Sequence, residues 1–116
     1  MKLDITEIST SFNQAMPIEI VGINIKSVLN LCNIASSTWR KYHLKIRQAE
    51  DYLTANNKVN AKPLGFTYSR RSKALDRRSC FIIYAFCYLQ RFFSDENLSL
   101  KLLYKYWEKI ECQVNL

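Results

Sequence analysis

The sequence predicts a mainly α-helical fold, and three observations carry that expectation. At 116 residues the chain has ordinary single-domain length, enough to bury a core without metals or disulfides. Hydrophobic residues make up 48% of it, which argues for a globular fold over a disordered tail. It holds only two Gly and two Pro, too little punctuation for a sandwich of many short strands.

In order along the chain, Ile5, Ile8 and Phe12 fall at helical spacing, and Pro17 ends that segment. Residues 18–25 are apolar and β-branched, which fits a short strand or an extended lead-in. Asn24 is a candidate helix N-cap, followed by Ile25, Val28, Leu29 and Cys32 at steps of three and four. Asn33, Ile34 and Ala35 make a turn. Ser36 or Ser37 then caps a second helix through Ala49, with Trp39, Tyr42 and Ile46 on one face. Residues 50–53 continue that helix or begin another, and 54–62 read as a polar, Asn-rich loop. Residues 63–68 show the aromatic alternation of a short strand. Ser69 or Ser72 caps the next helix, which runs to about Phe93 with Leu75, Ile82, Ile83, Phe86 and Leu89 on its core face. Residues 94–97 break it, and a last helix spans Leu98 to about Cys112. No repeat or long linker divides the chain, so 1–116 reads as one domain.

The formal charge of +7 is unevenly placed. From Ile20 to Ala49 the chain carries Lys26, Arg40, Lys41, Lys45 and Arg47 and no acid. From Lys58 to Arg91 its bases face Asp76 alone, whereas both ends mix bases with acids. A basic middle between mildly acidic flanks predicts that the middle meets a polyanion.

Several classes are disfavoured. Cys32, Cys80, Cys87 and Cys112 form no C-x-x-C pair and His43 is the one histidine, so neither a zinc site nor any other cofactor is expected. Cys80 and Cys87, seven apart, share a helix face as small core residues. With one histidine, scattered acids and no Gly-rich phosphate loop, an enzyme is not expected. No basic start with an apolar stretch marks a signal peptide, and the apolar run 80–89 is too short to cross a bilayer. The expected setting is therefore the cytoplasm, with reduced thiols and no membrane partner.

Two helices joined by a tight turn, the second opening on Ser36, Ser37 and Thr38 and carrying Arg40, Lys41, Tyr42, His43 and Lys45, have the shape of a helix-turn-helix. The start of the second helix offers backbone N–H groups to a phosphate, and its bases reach backbone or base edges. A polar loop and the run 66–69 then read as a β wing with Lys58, Lys62, Arg70 and Arg71 as its charges. The expected fold is thus a winged helix-turn-helix with a short β wing and a C-terminal helix.

The order Ser37-Thr38-Trp39-Arg40-Lys41-Tyr42, loop, Gly65-Phe66-Thr67-Tyr68-Ser69, helix resembles the DNA-binding domain of MerR-type transcriptional regulators over roughly residues 24–92. Thr38, Arg40 and Tyr42 match the family's recognition-helix run, and Gly65 and Phe66 its wing run. Thr67 stands where the family has a wing arginine, and Ser69 where it has the last wing tyrosine. The resemblance implies a sequence-specific double-stranded DNA-binding regulator, a dimeric repressor on a palindromic operator, with no small-molecule effector. Residues 1–23 and 94–116 are candidate dimerisation elements, with Leu103, Tyr106, Trp107 and Ile110 the expected surface; the alternative is that this helix closes the monomer core. The competing functional reading is an RNA- or protein-binding accessory or inhibitor protein whose aromatic middle stacks on single strands.

Overall fold

The computed structural model describes residues 4–16, 23–57, 64–68 and 74–114. It contains five helices: α1 (Ile5–Ala15), α2 (Ile25–Cys32), α3 (Ser36–Asn57), α4 (Arg77–Phe93) and α5 (Glu96–Glu111). Four begin on a side chain that can accept a hydrogen bond. Asp4 accepts from the Thr6 N–H, Asn24 from Ser27, Asp76 from Ser79 and Asp95 from Leu98. α4 ends where Ser94 takes the left-handed conformation at φ 55° and returns its N–H to the Gln90 carbonyl.

α4 is the central element. Residues 79–87 and Leu89 are all buried, so this helix is enclosed on nearly every side. Full burial of a Phe, Ile or Leu side chain is worth roughly 1.5–3 kcal/mol, and α4 contributes Phe81, Ile82, Ile83, Phe86 and Leu89. α1, α2 and α5 pack on it, and α1 also packs on α5. The Phe12 ring meets Phe81 edge-on at 4.9 Å, and Phe81 meets Trp107 at 5.8 Å, which joins α1, α4 and α5 in one core. From α3, Tyr42 meets Phe86 edge-on at 4.8 Å. Polar bonds stitch the periphery. Ser9 Oγ donates to the Ile110 carbonyl at 2.9 Å, Arg77 donates to the Met16 carbonyl at 2.6 Å, and Arg78 pairs with Glu111 at 2.7 Å.

The fold is mainly α as the sequence predicts, but no β wing is seen among the described residues. Among the described residues there is no strand or sheet; an isolated antiparallel bridge joins Ile23 and Leu75. Residues 64–68 are neither helix nor strand, with Gly65 at φ 78° and Leu64, Phe66 and Tyr68 buried. Two of their N–H groups bond to helix side chains and not to a neighbouring strand. The Leu64 N–H donates to Glu50 of α3 at 2.9 Å, and the Thr67 N–H to Ser79 Oγ of α4 at 3.1 Å. The segment is a strap packed on helices, so the winged fold is not this chain's architecture. The expected wing charges Lys58, Lys62, Arg70 and Arg71 lie outside the described residues.

Helix limits also differ from the sequence reading. α3 runs on to Asn57, through residues expected to be loop. Asp76, not Ser69 or Ser72, caps α4. The expected dimer surface of α5 is largely core: Leu103, Trp107 and Ile110 are buried within the monomer, and Tyr106 is half-buried. The apolar stripe of α5 thus closes the monomer.

Candidate nucleic-acid interface

The two helices α2 and α3 are set by local chemistry. α2 lays Val28 and Cys32 into the core against α4. It ends at Asn33, which adopts the left-handed conformation at φ 54°, ψ 51°; asparagine tolerates this better than most residues with a Cβ. The Ile34 N–H then reaches back to the Leu29 carbonyl at 3.1 Å, which closes the turn and fixes where α3 starts. The first bond of α3 runs from the Trp39 N–H to the Ala35 carbonyl at 3.0 Å. Ala35 has no side-chain acceptor, so the capping position before Ser36 does not compete for the first N–H groups of α3.

α3 divides its residues cleanly. Trp39, Tyr42, His43, Ile46 and Glu50 face inward, while Ser36, Ser37, Arg40 and Lys41 are exposed; Thr38, Lys45 and Arg47 are half-buried. Of the predicted site residues, the structure therefore gathers Ser36, Ser37, Arg40 and Lys41 on one solvent-facing surface at the helix start. Tyr42 and His43 are buried and not part of it, though His43 lines the cleft beside it. His43 sits between Trp39, at 5.1 Å between ring centroids, and Tyr68, at 5.2 Å edge-on. Trp39 and Tyr68 also meet edge-on at 5.0 Å.

Beside this surface lies an open cleft of about 550 Å³, walled by the three rings and by Ile25, Ser36 and Arg40. Lys41 is anchored laterally by an ion pair with Glu96 at 2.7 Å while its side chain stays 64% exposed. The hydrogen bond to Glu96 raises the Lys41 pKa, so it is a cation throughout the neutral range.

Sequence reasoning missed Glu50. It is fully buried, and its Oε1 accepts from the Leu64 N–H at 2.9 Å and from the Tyr104 hydroxyl at 3.2 Å. It thereby fastens the strap 64–68 and α5 to α3. Its signal was in the spacing, because 39, 42, 43, 46 and 50 trace one helix face. Burial, with the charge and hydrogen bond of Glu50, raises the Tyr104 phenol well above its usual value.

Thr67, at the position of the family's wing arginine, is used structurally, donating its hydroxyl to Asp76 Oδ2 at 3.1 Å. Among the described residues no cluster of three or more His, Cys, Asp or Glu is placed to hold a metal ion. No described helix is long and apolar enough to cross a membrane. Comparison with protein-family models, curated proteins and solved structures finds no match.

Proposed function

We propose that the protein is a double-stranded DNA-binding transcriptional regulator that presents the first turns of α3 to a duplex groove. One observation carries this reading: Ser36, Ser37, Arg40 and Lys41 lie together and exposed at the start of a 22-residue helix whose position is fixed by the turn at Asn33. The helix start adds N–H groups and the positive end of the macrodipole to two cationic side chains. Arg40 suits bidentate contact with a guanine edge or a phosphate. The match of Thr38, Arg40 and Tyr42 to the MerR-type recognition helix belongs to the same proposal.

The placement of the aromatic residues favours a duplex over single strands. Trp39, Tyr42, His43, Phe66 and Tyr68 are buried among themselves and against the core. A single-strand binder needs aromatic faces in solvent on which bases stack.

The test is selection of bound fragments from random duplex DNA, followed by salt titration of the selected duplex. A regulator enriches one sequence, an inverted repeat if two copies bind, and its log affinity falls with log salt by about 0.9 for each phosphate neutralised. Enrichment of no sequence, or tighter binding to single strands than to any duplex, overturns the reading.

A further inference from the structure

α3 and α5 lie side by side and run in the same direction: Lys41 pairs with Glu96, and further along both helices Glu50 bonds Tyr104. Between their outer faces is a groove of about 540 Å³. Tyr52 and Leu53 of α3 and Leu100 and Tyr104 of α5 give it apolar walls, and Lys45 and Lys101 stand on its rim. Among the described residues no carboxylate lines it. Tyr52 is 66% exposed, and at the opening of α5 Leu98 is 38% exposed; these are the large hydrophobic residues most open to solvent among those described. Tyrosine in an apolar depression is a frequent anchor of protein interfaces. The bond from Tyr104 to Glu50 fixes one wall in advance, which lowers the ordering cost of binding.

We propose that this groove receives an acidic amphipathic helix of a partner protein, with apolar anchors on Tyr52, Leu53 and Leu100 and carboxylates facing Lys45 and Lys101. Charge complementarity selects this occupant. A second copy docking through the same face would set Lys45 and Lys101 against their own like charges. A duplex would meet an apolar floor. Ser36 and Tyr52 are sixteen residues apart on one helix, roughly 24 Å at 1.5 Å per residue, so the apolar anchor end of the groove is set apart from the proposed duplex surface, which Lys45 adjoins.

The test uses the full chain, isotope-labelled, titrated with two synthetic helical peptides that share Leu at i, i+3, i+4 and i+7. One peptide carries Glu on its flanks, the other Lys. The expected result is saturable shifts for amides of residues 45–53 and 97–104 with the Glu peptide, and little response to the Lys peptide. Tyr52→Ala weakens the Glu peptide about tenfold, as loss of an interface anchor does. Lys101→Glu, at an exposed position, narrows the preference between the peptides.

Four results overturn the proposal: no saturable binding of the Glu peptide, equal response to both peptides, the same amides shifting with duplex DNA, or a dimer in sedimentation that Tyr52→Ala dissolves. The measurement does not depend on the duplex reading, since Arg40→Ala leaves the groove intact.

Discussion

The buried carboxylate of Glu50 accepts the backbone N–H of Leu64 at 2.9 Å across fourteen residues of sequence. This bond replaces the strand partner that residues 64–68 lack. Glu50→Ala strands the Leu64 donor and the Tyr104 hydroxyl together, and is expected to cost about 2–4 kcal/mol of stability. Glu50→Gln keeps an acceptor and costs less. Urea unfolding of the two variants beside the parent chain checks the order; equal stabilities for all three would sink the assignment.

Alkali is expected to destabilise the fold. Burial pushes the Cys80 thiol up to about 12 from 9.0, and burial first, then Glu50, raises Tyr104 above 10.0. Each group keeps in the folded state a proton that the unfolded chain gives up. The unfolded state therefore binds fewer protons above pH 9, and stability, complete below that value, falls as pH rises toward 12. Cys80→Ala should flatten the decline of the urea midpoint between pH 9 and 12. An unchanged slope would show that Cys80 is not a source of it.

Gly65 sits at φ 78°, and a Cβ there would come within 2.9 Å of Arg78 Cδ. The Arg78 side chain can shift, so the backbone dominates the penalty. Gly65→Ala should cost about 1–2 kcal/mol, the usual penalty for a left-handed residue with a side chain. It should also loosen the bond from Arg78 to the Leu64 carbonyl, now 3.3 Å long. A thermal unfolding midpoint equal to the parent's would contradict this.

Arg40→Ala should weaken duplex binding while leaving the circular dichroism and unfolding midpoint of the chain unchanged, because Arg40 is exposed. If Arg40 contacts a phosphate, the salt slope falls by about 1; if it reads a base, discrimination at one position relaxes by about 1–3 kcal/mol. Gel-shift titrations over several salt concentrations separate the two outcomes.

Glu96→Gln should tighten duplex binding. The Glu96 carboxylate holds Lys41 at 2.7 Å and offsets its charge close to the proposed surface. Removing that charge leaves Lys41 to face phosphate alone, and the gain should shrink as salt rises. Weaker binding by this variant would mean that the pair positions Lys41 productively.

Much of the helical frame was legible. Ile5, Ile8 and Phe12 marked α1, Asn24 announced α2, and the turn at Asn33 separated α2 from α3 where the sequence placed it. These are local signals, and local bonds honour them. The end of α3 was not legible because its Asn-rich tail has weak helix propensity. Thr54 bonds back to the Glu50 carbonyl at 2.8 Å, and the buried Glu50 ties this part of the helix to Tyr104 of α5, so contacts beyond local propensity hold it.

The alternation of Leu64, Phe66 and Tyr68 suggested a short strand, which the structure does not have there; what it marks is the burial of these three side chains. It could not say whether a strand or a pair of helices supplies the bonds. The exposed bases Arg40 and Lys41 were legible as surface from their position opposite Trp39 and Ile46. The inward turn of Tyr42 and His43 follows from the same periodicity, since they lie one turn beyond Trp39 on its own face.

The bond from Ser9 to the Ile110 carbonyl joins residues 101 positions apart, and Asn13 adds a second to Gln113. The seat of α1 is shared between α4, its neighbour in the core, and α5, far away in sequence. The α4 half of that seat is made by Phe81 and Tyr84 against Phe12, and the rest is complete only when α5 docks. Such long-range closure slows folding, and a chain shortened before Leu103 would keep α1 against α4 but lose the acceptors of Ser9 and Asn13 and the Trp107 side of the core.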